Sequence, residues 1–436
     1  MGIIEILKKV LEIFLHACYY TNNKETRNIA RKMRESTHGK TCAPGKEKRR
    51  KIMAREFIVP GQIITGAGAL QAAKETFGQL GRKAMIVTDK VMIDLGNCAK
   101  VETALKDQGI AYTVYSEIVG EPTDIMIENG LEQYREEGCD FLIALGGGSP
   151  IDSMKAIGSL VKNGGDITDY MGKIIDVEMP PMAAIPTTAG TGSEATQFTI
   201  ITDTKKDVKM LLKGKALMPT IAVSDPQFTM TAPPKITAAT GLDALCHAIE
   251  AYTSRQAQTL SDTFAVSAVK RIFKYLPTAF HDGKNEEARI EMSVAALEAG
   301  IAFNNASVTL IHGMSRPIGA LFHVAHGLSN AMLMKECLSF ALSGAYDRFA
   351  ELGRSIGAAS AADTDKTAGE KFLRAVEKLV EELETPTLEE FGIDKDAFFE
   401  AIGKMAYDAL DSGSPQNTRR DITQADIEQM YRNLWQ

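Results

Sequence analysis

A change of rhythm along the chain narrows the fold more than any other feature. From Met53 to about Phe228, the β-rich runs AMIVT (84–88), AYTVY (111–115) and FLIAL (141–145) alternate with helical patterns through 99–108, 125–137 and onward from Pro150. Strands alternating with helices of this length make βαβ units around a mostly parallel sheet. Further strands are expected at 182–186, 197–203 and 220–224. After the TAPPK segment at Thr231–Lys235 the strands stop. Helical spacing takes over, placing Val266, Val269, Phe273 and Leu276, and later Phe398, Ile402, Met405 and Ala409, on single helix faces. Ser261 and Thr423 are the expected N-caps, the latter with Asp426 three residues on. The chain reads as an α/β nucleotide-binding domain at 53–232 and an all-α domain at 233–436.

Residues 1–52 stand outside this pattern. They hold 13 Lys+Arg against 5 Asp+Glu, leaving 36 against 51 for the remainder of the chain. An acidic body of this kind is a poor wrapper of nucleic acid, so the basic stretch is read as an extension, poorly ordered or helical. Its opening carries Glu5, Lys8, Lys9 and Glu12 where a signal peptide needs an uncharged core, and no apolar run reaches the ~18–20 residues of a membrane span. The six cysteines form no C-x-x-C pair, which argues against a disulfide framework and for a cytoplasmic protein; with the acidic body and the short apolar runs, no nucleic-acid or membrane partner is expected.

The run FLIAL leads straight into Gly146-Gly147-Gly148-Ser149-Pro150 and a helix with Asp152 in its first turn. Three glycines let backbone N–H groups approach an anion, and the helix N-terminus adds a favourable partial charge. Ser149 offers a hydroxyl and a cap, and Pro150 suits a first helical position. This is not the G-x-G-x-x-G fingerprint. A second segment, PTTAGTGSE from Pro186 to Glu194, again follows a strand and offers Thr187, Thr188 and flexible backbone to the rest of a dinucleotide. Asp89 closes the strand AMIVT; it can accept from an adenosine ribose, favouring NAD over NADP, or cap the following helix.

Of seven histidines, His247, His312, His323 and His326 fall in two short segments of the helical half. Asp243 and His247 are four apart and so project from one helix face. His312 and His326 are each followed by glycine, which lets an imidazole aim at a point without crowding. Three imidazoles and one carboxylate suit Fe(II) or Zn(II) and need no thiolate.

Together, GGGSPIDSMKA, TTAGTGSEAT, TGLDALCHAIEAY and HGMSRPIGALFHVAHGLSNAM resemble the iron-containing (group III) alcohol dehydrogenases, a family related in fold to dehydroquinate synthase and glycerol dehydrogenase. The likeness covers essentially all of residues 53–436. It implies Asp243, His247, His312 and His326 as ligands of Fe2+ or Zn2+. It also implies NAD held at Gly146, Gly147, Gly148, Ser149, Asp152, Thr187 and Thr188, with Asp89 at the adenosine ribose and Lys209 near the nicotinamide ribose. His326 and His323 are then candidate catalytic residues, His323 as proton relay, because the family's usual relay histidine is replaced by Arg316. Ala325 stands where the family has proline, and Glu121 where it often has asparagine. The implied activity is reversible hydride transfer between a small alcohol or diol and NAD, by a homodimer or larger homo-oligomer. A polyol or hydroxyacid oxidoreductase like glycerol dehydrogenase, or a lyase like dehydroquinate synthase, is the alternative.

Overall fold

The computed structural model describes residues 54–435, and the extension expected at 1–52 lies outside them. The first half runs β1 (Gln62–Thr65), α1 (Ala69–Leu80), β2 (Lys83–Val87), α2 (Lys90–Asp94), α3 (Asn97–Lys106), β3 (Ala111–Tyr115), α4 (Asp124–Glu136), β4 (Phe141–Gly146), α5 (Gly148–Val161), β5 (Met182–Pro186), β6 (Phe198–Asp203), β7 (Val208–Lys213) and β8 (Ile221–Ser224). Six strands form one parallel sheet in the order β1-β8-β5-β4-β2-β3. β4 is buried at every position. Its side chains alternate between two apolar layers, Leu142 and Ala144 in one, Phe141, Ile143 and Leu145 in the other. A strand covered on both faces reads as a continuous apolar run, as FLIAL does.

The chain reverses direction across the sheet between β2 and β4, which are direct neighbours although β3 intervenes in sequence. The crevice at the carboxyl ends of two such strands is where open α/β sheets bind ligands. Those ends carry Asp89 and the glycine turn. The strand expected at 197–203 forms, and it lies outside the parallel sheet. As β6 it pairs antiparallel with β7 in a separate hairpin, Phe198 opposite Lys213. Its alternating burial suits a ribbon with one wetted face, unlike the fully buried β4 and β5.

The second half is helical: α6 (Pro234–Thr253), α7 (Thr259–His281), α8 (Glu286–Ala306), α9 (Leu310–Phe322), α10 (His326–Leu342), α11 (Tyr346–Ser355), α12 (Asp365–Glu382), α13 (Leu388–Phe391), α14 (Lys395–Asp411) and α15 (Gln424–Asn433). Phe398, Ile402, Met405 and Ala409 are all buried, as their spacing predicts. Thr423 caps α15 in a reciprocal box with Asp426. Ser261 is not a cap: α7 starts two residues earlier, Gln258 takes the N-cap position and Ser261 returns the bond as its third residue. Among the described residues no single helix is long and apolar enough to cross a membrane.

The halves meet backbone to backbone at Gly192 and Gly300, and again where Gly190 approaches Thr240 of α6. A Cβ on Gly192, which has φ +61°, would lie 2.5 Å from Gly300 Cα on α8 and 3.0 Å from Ala296 O. Only glycine meets both demands.

Candidate metal and cofactor cleft

α6 presents three acidic or imidazole groups on one face, because Asp243, His247 and Glu250 are spaced i, i+4, i+7. α9 brings His312 against them, and α10 begins with His326. One donor atom from each of Asp243, His247, His312 and His326 lies within 4.8 Å of the others. Asp243 Oδ1 is 3.9 Å from His247 Nδ1, 3.5 Å from His312 Nε2 and 3.7 Å from His326 Nε2. Donors sharing one tetrahedral ion at bond lengths of ~2.0–2.1 Å stand about 3.4 Å apart, so these separations approach ion-sharing distances. His247 Nδ1 is moreover buried with no hydrogen-bond partner. A buried, unpaired lone pair converging with three others on one point fits a divalent cation, and the all-N/O set suits iron or zinc.

The charges agree with that reading. Burial works against ionisation of Asp243, yet the imidazoles of His247, His326 and His312 overcome it and hold the carboxyl well below the usual carboxylate range. Burial pushes His247 down to about 3 and His326 down to about 4, keeping both neutral and able to donate lone pairs. His312 differs: burial opposes its charge, but Glu250 and Asp243 raise it to about 9.

Two members of this centre were not visible from the histidine pattern. Glu250, fully buried, bonds His312 Nδ1 and also accepts from Thr309 Oγ1 at 2.8 Å and Ile311 N at 2.6 Å. A carboxylate on the far nitrogen holds a proton on Nδ1, so Nε2 is the nitrogen that gives up its proton to become a lone-pair donor when a cation binds. Asn330, one turn beyond His326, donates through Nδ2 to Asp243 Oδ1 at 2.7 Å and lies 3.1 Å from His312 Nε2. Helical spacing was the signal for both: Glu250 follows His247 by three residues and Asn330 follows His326 by four. Removing the charge in Glu250→Gln should weaken metal affinity by about 10–100-fold without unfolding the protein, measured by competition with a chelator. Unchanged affinity would reduce Glu250 to a packing role.

The opposite wall comes from the α/β half. Helix α5 starts at Gly148 with Gly147 as N-cap, so Ser149 and Pro150 sit inside its first turn and Ser149 is not the cap. The tighter turn follows from packing, since a Cβ on Gly146 would lie 2.4 Å from Pro150 Cγ. Pro150 is tolerated there because first-turn N–H groups have no helical acceptor. Gly148, Ser149 and Asp152 line a cleft of about 490 Å³ together with the four-donor set and Lys209. Thr187 N bonds Gly146 O at 3.0 Å, and Thr188 Oγ1 would stand 3.4 Å from a Cβ on Gly147, so the two glycine segments lie side by side. Asp89 caps α2, accepting from Met92 N at 2.9 Å through Oδ1.

Asp152 is occupied differently from a free cofactor contact: Oδ1 accepts from Ser193 Oγ at 2.6 Å and Oδ2 from Ile200 N at 2.9 Å. Beside it, fully buried Lys155 donates to the carbonyls of Ser193 (2.7 Å), Thr196 (2.9 Å) and Phe198 (2.9 Å) and to the hydroxyls of Ser193 and Thr196. Lys209 pairs with Glu121 at 2.6 Å, so the Glu121 departure gives this lysine a partner in the cleft wall. His323 stands apart. It is exposed at the end of α9, with φ 53°, and is absent from the cleft lining. A left-handed terminal residue ends α9 and turns the chain before α10, and with the imidazole exposed outside the lining the geometry gives no support to the relay role expected of it.

The sequence matches the family described as iron-containing alcohol dehydrogenase over residues 60–226, and that family's C-terminal region over 237–435. It is similar to the NAD-dependent methanol dehydrogenase of Bacillus methanolicus, 35% identical over 381 residues, covering 86% of this chain and 99% of the relative. A crystal structure of 1,3-propanediol oxidoreductase superposes with a TM-score of 0.85 at 32% identity, covering 88% of this chain and 100% of that one. A sulfoacetaldehyde reductase from Bifidobacterium kashiwanohense, solved with NAD+, gives 0.79 at 30% identity, covering 88% and 99%. Matches that span both halves at this identity, on a chain whose cleft already groups the donor set and the glycine turn, leave one conclusion: the chain belongs to the iron-containing alcohol dehydrogenase family.

Proposed function

We propose that the protein is an NAD-dependent alcohol dehydrogenase that interconverts a small alcohol and its aldehyde in the cleft between the two halves. The observation that carries this is the facing arrangement: four converging N/O side chains on one wall, the glycine-led start of α5 on the other. Asp243, His247, His312 and His326 would hold Fe2+ or Zn2+, and Gly146–Ser149 with Thr187, Thr188 and Asp89 would hold NAD. When bound, the ion supplies Lewis-acid polarisation of the substrate oxygen and the nicotinamide supplies hydride chemistry.

The chain's own groups set the stage for this. Glu250 keeps the His312 proton on Nδ1. Phe198, Ile200, Leu211, Phe303, Val308 and Val324 give the cleft apolar walls that exclude water from the reacting carbon. Among the described lining residues the only imidazoles are the three donors, so the alcohol proton passes to solvent at the cleft mouth. The domain limits 53–232 and 233–436, a cytoplasmic setting and assembly into homo-oligomers belong to the same reading, supported by the family likeness.

The test is direct. Protein loaded anaerobically with Fe2+ or Zn2+ should reduce NAD with short alcohols, and chelation should abolish turnover. Full turnover after complete metal removal would overturn the reading.

A further inference from the structure

Among the described residues, no carboxylate forms an ion pair with Arg316, and Glu250 acts on its charge only from a distance. Arg316 lies on α9 one turn after His312, so both side chains share a helix face with Cβ atoms roughly 6 Å apart, and it lines the cleft beside the donor set. A guanidinium has five N–H donors. Among the described residues, one of these finds an acceptor, Nη1 to Ser414 Oγ at 3.1 Å, and no carboxylate comes within ion-pair distance. Arg271 is paired with Glu291 and Glu298, Arg348 with Asp262 and Arg354 with Asp365, while buried Arg289, which has no ion pair, is held by two carbonyls and the Thr237 hydroxyl; Arg316 has neither arrangement.

The carboxylates around the cleft are already engaged. Glu250 holds His312 and the start of α9, Asp152 holds Ser193 and Ile200, Glu121 holds Lys209, and Asp243 belongs to the donor set. The charge on Arg316 is permanent, and a half-buried guanidinium beside apolar walls with no carboxylate bonded to it leaves most of its donors without a protein acceptor. Its planar fork matches a carboxylate or sulfonate through two parallel hydrogen bonds.

We infer that Arg316 is the receptor for an anionic end-group on the substrate, and that the enzyme acts on short alcohol–aldehyde pairs carrying a terminal carboxylate or sulfonate. The inference rests on the dehydrogenase reading above and narrows it. The reacting carbon faces the metal donors while the remote anion docks on Arg316, one helical turn away, a span that suits a chain of about three to four carbons. A neutral alcohol of the same length leaves the guanidinium with only its Ser414 hydrogen bond and no anionic partner.

The test uses full-length, metal-loaded enzyme and NADH, with succinate semialdehyde set against butanal, a pair of equal chain length. Charge-assisted bidentate bonding should make kcat/KM for the semialdehyde about 10–100 times higher. In Arg316→Met the ratio should fall to within about threefold of one, and in Arg316→Lys it should be intermediate, because the charge remains and the fork is lost. Calorimetry should show ethanesulfonate, a weak metal ligand, binding the wild-type NADH complex and not Arg316→Met. Butanal turned over as well as the semialdehyde would overturn the inference and leave the dehydrogenase intact. So would an Arg316→Met variant that raises KM for NADH with the aldehyde ratio unmoved, since the guanidinium would then serve the cofactor's phosphates. If neither aldehyde is consumed, the dehydrogenase reading fails, and ethanesulfonate binding by the wild-type protein still decides whether Arg316 receives anions.

Discussion

Asp243→Asn should abolish metal retention and lower turnover by at least about 10³–10⁴-fold while the protein stays folded. Asp243 is the only anion among the four donors, and its Oδ1 faces three imidazole nitrogens at 3.5–3.9 Å. Asparagine keeps the shape and removes the charge that offsets the cation. Loss of the ion removes several kcal/mol of transition-state stabilisation, and each 1.36 kcal/mol is about tenfold in rate. Metal content after dialysis, circular dichroism and kcat with excess metal read out the three parts separately. Stoichiometric metal in the variant would contradict the assignment of Asp243 as a ligand.

The second large effect concerns stability. Lys155→Met should destabilise the protein by about 3–5 kcal/mol and weaken cofactor binding, because it breaks a buried charge network by removing one partner. The ammonium ties three carbonyls and two hydroxyls of the 193–198 segment to α5. It is also the positive neighbour of Asp152 and of Glu194, whose Oε2 is buried without a hydrogen bond. Burial pulls Lys155 down to about 8 and pushes Glu194 up to about 7. Methionine fills similar volume but offers no donors, so the loss reads as unmade bonds rather than a cavity. The urea midpoint and the Kd for NADH measure the two consequences. An unchanged midpoint would mean that the loop is held by packing alone.

What the sequence revealed depended on how local each signal was. β4 and the glycine turn were legible because a doubly covered strand, a turn and a helix start are contiguous in the chain. The four donors were legible because pairs of them sit at helical spacing or beside glycine. Lys155 was not: its acceptors lie about 40 residues away, and nothing near the lysine shows that it is buried. The β6–β7 hairpin was missed because alternation identifies a strand and not its neighbour. The position of His323 was illegible for a related reason, since three residues before His326 reads as close until the chain passes through a positive φ at His323. Arg316 could be seen as a departure from family pattern, but its lack of a counter-charge needs the whole cleft.

The contact of Gly192 with Gly300 has a further consequence. Where two layers are spaced by side chains, mutation can widen or narrow the gap in small steps; here main chain rests on main chain, leaving no atoms to trim. The spacing of the two cleft walls is thus held there by a hard stop, and substitutions elsewhere in the lining can reshape the pocket without disturbing it.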